Sequence, residues 1–159
     1  MSSFDDAFDA LIGNEGGYSN NRADPGGERC GASRRALRAA AYTGQMKDLP
    51  RDTAKTIAKT LYWDPLRLDE LDARVAFQIF DANYNGGHPV IWMQGAAGAK
   101  VDGLIGPATI AAVRAVDPLR FILRCNALRL RYFTSLKTFS TFGKGWAIRI
   151  ASNLAKGAA

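Results

Sequence analysis

ARVAFQIFDANYNGG, residues 73–87, is the stretch that decides the fold. Apolar side chains occupy nearly every side of a helix drawn over residues 73–84, and this pattern predicts a buried central helix. The sequence Asn85-Gly86-Gly87 then ends the helix, because glycine and asparagine readily adopt the backbone conformations found just past a helix end. The stretch therefore predicts a helical domain built around one buried helix.

Further helices are predicted on both sides of this central helix from apolar spacing and from prolines at first-turn positions. They cover residues 3–15, 33–42, 50–65, 89–97, 107–116, 118–136 and 143–154. Residues 18–31 are rich in glycine and polar residues and predict an irregular loop or a small hairpin. The fold class is therefore mainly α. The 159 residues suit a single domain, with a motif-bearing half at 1–70 and a helical half at 71–159.

The composition excludes several classes of protein. Hydrophobic residues make up 47% and charged residues 23%, as in ordinary globular domains, and no apolar run is long enough to span a bilayer. No glycine-rich nucleotide-binding loop occurs, and we expect no cofactor. Cys30 and Cys125 are too few for a disulfide framework and are expected to be reduced thiols. With one histidine far from them, no metal site is expected.

A net charge of +6 favours an anionic partner, which would be nucleic acid, an anionic membrane or the bacterial envelope. Charge alone does not choose among these three partners. The N-terminal segment has three aspartates and no basic residue before position 14, which is unlike a signal peptide.

Glu15 and Asp24 are the two carboxyl groups that suggest chemistry. Glu15 follows Phe8 by seven residues and Leu11 by four, so it shares their inward helix face. Burial disfavours the charged form of a carboxyl group, and a general acid needs its proton at neutral pH. Two carboxyl groups in different environments can hydrolyse a glycosidic bond. A structural alternative also fits, with Glu15 ending a helix and Asp24 starting an Asp-Pro turn.

Several motifs, in order along nearly the whole chain, resemble glycoside hydrolase family 108. They are NEGGY at 14–18, DPGG at 24–27, YWDP at 62–65, FDANYNGG at 80–87, VDGLIGPAT at 101–109 and FGKGW at 142–146. That family comprises N-acetylmuramidases of phage endolysins and secretion-associated lysozymes. The resemblance implies a lysozyme-like fold and cleavage of the β-1,4 bond between N-acetylmuramic acid and N-acetylglucosamine. It also implies that the segment from about residue 71 onward resembles a peptidoglycan-binding module.

The same resemblance implies roles for three residues. Glu15 corresponds to the glutamate of the family's EGGY motif and is the expected general acid. Asp24 is expected to stabilise positive charge on the sugar or to position water. The sequence departs from the family at residues 27–32, which lack the usual threonine. Cys30 falls six residues after Asp24, where phage-type lysozymes place that threonine, and a thiol is the poorer hydrogen-bonding group. Whether the anomer is inverted or retained stays open.

Tyr18, Tyr84, Asn85 and His88 are the expected substrate-binding residues, because tyrosine and amide side chains suit the apolar faces and polar rims of sugars. His88 also fits a solvated turn. Three tryptophans are expected in the core, Asp102 and Gly103 in a structural turn, and the basic helix residues on solvated faces that can adhere to an anionic envelope. The tryptophans are Trp63, Trp92 and Trp146. The basic residues are Arg124, Arg129, Arg131, Lys137, Lys144, Arg149 and Lys156.

The leading hypothesis is a monomeric phage endolysin. It would be made in the bacterial cytoplasm and would reach periplasmic peptidoglycan through a holin or a secretion system. Two alternatives remain open at this point. One is a module that grips peptidoglycan without cutting it, and the other is a basic nucleic-acid-binding domain. The acidic first helix and the glycine-rich acidic loop fit the second alternative poorly.

Overall fold

The computed structural model describes residues 4–15, 28–29, 32–33, 43 and 48–159, with side chains described to residue 12 in the first of these ranges. The described chain forms two compact units, Met1–Asp69 and Glu70–Ala159. Among the described residues, no helix is long and apolar enough to cross a membrane.

The first unit is built on α1 (Phe4–Glu15) and α2 (Arg51–Ala58). The inward face of α1 is apolar and buried, and the ring of Phe4 packs edge-on against Trp63 at 5.3 Å. The facing polar sides of α1 and α2 carry two surface ion pairs, one of which joins Arg51 to Asp9 at 2.6 Å. Both partners are more than half exposed, so the pair adds little to stability.

After α2 the helix widens into a π-helical segment over Lys59–Trp63, and 3-10 turns follow at Asp64–Leu66 and Leu68–Glu70. The predicted helix over 50–65 is thus present but changes its hydrogen-bonding pattern. A short antiparallel pair joins β1 (Glu28–Arg29) to β2 (Ala32–Ser33). This ladder lies at the end of the segment predicted to form a loop or hairpin. The helix predicted over 33–42 lies outside the described residues beyond Ser33, which is in β2.

The second unit surrounds α3 (Ala73–Tyr84), whose bounds match the predicted central helix. Asp72 caps its first turn by accepting a hydrogen bond from the backbone N–H of Arg74 at 3.0 Å. Every residue from Val75 to Ala82 is buried, including two polar ones. The helices that follow are α4 (Pro89–Ala97), α5 (Pro107–Ala115), α6 (Pro118–Ser135) and α7 (Phe139–Ala158).

The long helices α6 and α7 pack closely against each other. A side chain at Gly157 would place its Cβ 2.8 Å from a methyl group of Ile122. The helix predicted over 143–154 begins earlier, at Phe139, and ends later, at Ala158. The missed first turn contains Ser140 and Thr141, which favour helices less than alanine or leucine do. The mainly α, lysozyme-like fold is nevertheless confirmed.

Asp102 and Gly103 lie in a structural turn before Pro107, as predicted. The buried amide of Gln94 donates to Asp102 Oδ1 at 2.8 Å, and its oxygen accepts from the backbone N–H of Gly103 at 2.9 Å. Gly103 has a φ of +75°, which favours glycine. Hydrogen bonds from the Leu104 backbone and from Gln94 lower the pKa of Asp102 below its ordinary value of 3.8.

Candidate functional site

Four of the seven predicted site residues fall outside the described side chains. Tyr18, Asp24 and Cys30 lie outside the described residues, and Glu15 ends α1 with its side chain beyond the described part. Their roles therefore stay predictions from the sequence. The other three lie at the end of α3 and just before α4, where the second unit has its own open cavity.

This cavity has a volume of about 460 Å³, within the range of roughly 300–1,000 Å³ that ligand sites occupy. The turn after α3, the C-terminal end of α6 and the first half of α7 supply its described walls. The lining includes the side chains of Asn85, Tyr132, Phe133, Phe142, Trp146 and Arg149. The lining thus combines aromatic rings with one amide and one guanidinium.

One face of α7 supplies three of these side chains. Phe142, Trp146 and Arg149 follow each other at spacings of four and three, which places them in one row on a helix. Phe142 is 41% exposed and its ring lies 5.9 Å from that of Trp146. Trp146 in turn stacks on Phe133 of α6, with ring centroids 5.0 Å apart and planes 30° apart. The row forms an apolar wall with a positive charge at one end.

The turn after α3 supplies a further part of the lining. Gly87 has a φ of +118°, and a Cβ there would lie 2.3 Å from the indole of Trp92. Only glycine fits this position, so the Asn-Gly-Gly sequence sets the path of the chain beside the cavity. Asn85 is the first residue of this sequence, and its side-chain amide donates to the backbone oxygen of Asp81 at 2.7 Å. That bond fixes the amide at the edge of the cavity.

Asp81 holds a network of charged side chains in the core of the unit. Its Oδ2 accepts from Arg129 Nη2 at 2.7 Å and from Asn153 Nδ2 at 2.6 Å. Its Oδ1 accepts from Arg149 Nη1 at 2.9 Å and from Asn85 Nδ2 at 3.2 Å. Asp81 and Arg129 are fully buried, whereas the side chain of Arg149 is 20% exposed. Arg149 therefore links the buried carboxylate to the cavity.

A second set of hydrogen bonds connects α3, α6 and α7 one turn before Asp81 along α3. The Gln78 amide donates to the backbone oxygen of Asn153 at 2.8 Å, and Asn126 Nδ2 donates to Gln78 Oε1 at 2.9 Å. Nearby on α6, complete burial raises the pKa of the Cys125 thiol to about 12, so the thiol is neutral at physiological pH. These hydrogen bonds link α3, α6 and α7 in the buried part of the unit.

The structure places the three described candidates differently. Asn85 lines the cavity. His88 is exposed and its ring lies 5.1 Å from that of Tyr132, which also lines the cavity. Tyr84 is half-buried against Phe80 at 5.6 Å and is not among the described lining residues. Binding of substrate by these three residues stays a prediction.

Several residues that line or support the cavity were assigned other positions from the sequence. Arg129 and Arg149 were expected on solvated faces, and this was wrong because Asp81 draws both guanidiniums inward. Trp146 was expected in the core but is half-buried in the cavity wall. Trp63 and Trp92 are buried, as predicted. The spacing of Phe142, Trp146 and Arg149 is a sequence signal that could have indicated a shared face of α7.

Within the described part of the chain, no group of three or more histidine, cysteine, aspartate or glutamate residues is placed to hold a metal ion. The aromatic rings of the cavity wall suit an organic ligand with an apolar face, because such faces stack on aromatic rings.

Comparison with protein families separates the chain into two matched segments. Residues 8–87 match the model described as glycosyl hydrolase 108. The chain belongs to the glycosyl hydrolase 108 family. Residues 88–151 match a model described as a predicted peptidoglycan domain. The cavity is lined from both segments, since Asn85 lies in the first and Tyr132 to Arg149 in the second.

Comparison with solved structures supports the family assignment. The structure of SagA from Brucella abortus superposes with a TM-score of 0.88 and 32% sequence identity, over 98% of this chain and 93% of that one. A comparison with curated protein sequences gave no significant match. As a family member with a peptidoglycan segment, the protein is a glycoside hydrolase that acts on peptidoglycan.

Proposed function

We propose that this glycosyl hydrolase 108 protein is an N-acetylmuramidase, which hydrolyses the β-1,4 bond between N-acetylmuramic acid and N-acetylglucosamine. The observation that carries the proposal is the family match over residues 8–87, a segment that contains both Glu15 and Asp24. Glu15 is the general acid that protonates the leaving oxygen. Asp24 stabilises positive charge on the sugar or positions the water, and Cys30 lies beside that water. Tyr18 and the three residues near the cavity bind the glycan strand.

The placement of Glu15 along α1 supports its role as the acid. Phe8 and Leu11 of α1 are fully buried, and Glu15 follows Leu11 by four residues at the helix end. Positions four apart share a helix face, so Glu15 occupies the position of α1 that continues the face of Phe8 and Leu11.

Product analysis tests the bond specificity. Purified peptidoglycan is digested, the new reducing ends are reduced with borohydride, and the fragments are identified by mass spectrometry. A muramidase yields reduced N-acetylmuramic acid ends, whereas a glucosaminidase yields reduced N-acetylglucosamine ends and overturns the proposal. Glu15→Gln is expected to lower the rate on the order of a hundredfold to ten-thousandfold with unchanged circular dichroism. Binding to peptidoglycan with no cleavage by the wild type would favour a non-catalytic binding module instead.

We further propose that residues 1–159 fold as one lysozyme-like domain that acts as a monomer in bacterial lysis. In this role it is a phage endolysin made in the cytoplasm and delivered to the periplasm by a holin or a secretion system. A single calorimetric transition is expected for the domain, and a monomer is expected by light scattering. Expression with a holin is expected to lyse cells, and expression without one is expected to leave them intact.

The described surface of α6 supports adhesion to an anionic envelope. Leu119, Leu123 and Leu130 are exposed on one face of this helix. An adjacent strip of α6 carries three exposed arginines, Arg120, Arg124 and Arg131. A leucine row beside an arginine row is typical of helices that lie on anionic membranes. Binding to vesicles with anionic lipid, but not to neutral ones, is expected, and Leu123→Ser is expected to weaken it.

A further inference from the structure

The aromatic side chains that line the cavity of the second unit pack against further rings. Trp146 stacks on the buried Phe133 at 5.0 Å, and the ring of Phe142 lies beside that of Trp146 at 5.9 Å. On the α6 side, Tyr132 packs edge-on against the buried Trp92 at 5.5 Å. A ligand that stacks on this wall therefore meets side chains that are already ordered, which lowers the entropy cost of binding.

The same lining carries neutral hydrogen-bonding groups. Among the described residues, no group accepts a hydrogen bond from the Tyr132 hydroxyl or from the Trp146 indole N–H, and neither atom is fully buried. The side-chain NH₂ of Asn85 donates to the backbone and carboxylate oxygens of Asp81, which leaves the amide oxygen of this exposed residue as an acceptor. The cavity thus combines apolar faces with two donors and one acceptor.

This combination favours a sugar over a purely apolar ligand. An apolar ligand would separate the hydroxyl, the indole N–H and the amide oxygen from water without giving them a partner, and a buried polar group without a partner is costly. A sugar has C–H faces that stack on aromatic rings and a rim of groups that form hydrogen bonds. We assign no ligand contact to Arg149, because its guanidinium donates to the Asp81 carboxylate.

The acetamido group of peptidoglycan sugars matches these polar groups. Both sugars of the glycan carry it at C2, and it has a carbonyl acceptor, an N–H donor and a methyl group. The carbonyl can accept from Trp146 or Tyr132, and the N–H can donate to the Asn85 oxygen. We propose that the cavity formed by α6, α7 and the turn after α3 is an acetamido-binding subsite for one N-acetylhexosamine unit. This inference rests on the proposed action on muramyl glycan, and it deepens that function by adding a binding site in the second unit.

Equilibrium binding tests the subsite separately from catalysis. Titration calorimetry on the Glu15→Gln protein compares the β-1,4-linked tetramer of N-acetylglucosamine with the β-1,4-linked tetramer of glucose. The two ligands are neutral and differ only at C2, where a hydroxyl replaces the acetamido group. A neutral hydrogen bond is worth roughly threefold to tenfold in affinity. Because two such bonds depend on the acetamido group, we expect the N-acetylated tetramer to bind roughly tenfold tighter or more.

Substitutions locate the bound ligand. Phe142→Ala removes a ring that is 41% exposed and is expected to weaken both tetramers by about tenfold, because either sugar stacks on it. Tyr132→Phe removes only a hydroxyl and is expected to weaken the N-acetylated tetramer more than the glucose tetramer. Ile148→Ala is the matched control, since it shortens an exposed apolar side chain on α7 outside the described lining. It is expected to leave both affinities unchanged.

Tryptophan fluorescence locates the ligand without a substitution in the cavity. Trp63 and Trp92 are buried, whereas Trp146 is half-buried in the cavity wall, so acrylamide is expected to quench mainly Trp146. Saturation with the N-acetylated tetramer is expected to protect the protein from this quenching. The measurement decides the matter even if Phe142→Ala or Tyr132→Phe folds poorly. Unchanged quenching at saturation would place the ligand elsewhere and overturn the subsite.

The outcomes separate the subsite from the proposed bond specificity. Equal affinity for the two tetramers, or no measurable binding of either, overturns the subsite whatever bond the enzyme cuts. Affinities that both Phe142→Ala and Tyr132→Phe leave unchanged overturn it as well. A glucosaminidase product pattern combined with acetamido-dependent binding at the cavity would overturn the bond specificity and leave the subsite standing, because both sugars carry the acetamido group.

Discussion

Asp81 and Asp102 both lie in motifs of the second unit, and both carboxylates accept several hydrogen bonds. The two carboxylates differ in burial and in the kind of group that they bind. Asp81 is fully buried and binds two arginines, one of which reaches the cavity. The side chain of Asp102 is 31% exposed, and its main partners are the Gln94 amide and the Leu104 backbone. The first carboxylate holds charges in place, whereas the second holds a turn in place.

The difference shows that the partner of a carboxylate is more informative than the motif that contains it. A buried charge is costly unless it is paired, and a buried pair often adds little net stability, so a network such as that of Asp81 suggests a role beyond packing. A carboxylate that accepts backbone N–H groups near the surface satisfies local donors and needs no such role. The predictions below test this contrast.

Asp81→Asn is expected to have the largest effect on stability. The substitution leaves Arg129 fully buried without an anionic partner, and breaking a buried pair in this way costs about 3–5 kcal/mol. Urea unfolding followed by circular dichroism measures the loss. Asp81→Asn combined with Arg129→Met is expected to recover part of it, because the orphaned charge is then gone. An unchanged unfolding midpoint in the single variant would contradict the importance of this network.

The rate at which a thiol reagent labels Cys125 also measures the loss of stability in Asp81→Asn. The thiol is fully buried with a pKa of about 12, so reagents reach it only when the unit opens. In a Cys30→Ala background, Asp81→Asn is expected to speed labelling on the order of a hundredfold or more, as the change in stability implies. Asp102→Asn is expected to leave the rate within a fewfold of wild type. Equal acceleration by both substitutions would remove the contrast between the two carboxylates.

The central helix could be predicted from the sequence, whereas the Asp81 network could not. The bounds of α3 follow from local information, namely an apolar pattern on all sides and a glycine stop. The partners of Asp81 lie 48, 68 and 72 residues further along the chain, and no local pattern links them. Arg129 and Arg149 therefore resembled solvated helix residues. The spacing of Phe142, Trp146 and Arg149 places them on one face of α7, but no local pattern shows that this face lines a cavity.

Gln94→Ala is expected to have an intermediate effect. The Gln94 side chain is buried and bonds both the carboxylate of Asp102 and the backbone of the following turn. Without this side chain, these groups bind water or stay unpaired, which lowers the free energy of unfolding by about 1–3 kcal/mol. The affinity for glycan at the cavity is expected to stay unchanged, since Gln94 is not among the described lining residues. A loss of glycan affinity without a loss of stability would give the turn a binding role that we do not assign to it.

Asp102→Asn is expected to have the smallest effect, and that effect depends on pH. The asparagine oxygen can still accept from Leu104 and Gln94, so the turn keeps its shape. The pKa of Asp102 is lowered in the folded protein. In acid the unfolded chain therefore binds more protons than the folded protein, and the free energy of unfolding of the wild type decreases as the pH is lowered. This contribution is fully present above about pH 5 and is lost as the pH falls through the lowered value. The stability difference between wild type and variant, measured by urea unfolding, should therefore be constant at neutral pH and shrink below 3.8. A difference that stays constant into strong acid would show that the turn does not favour the ionised form of Asp102.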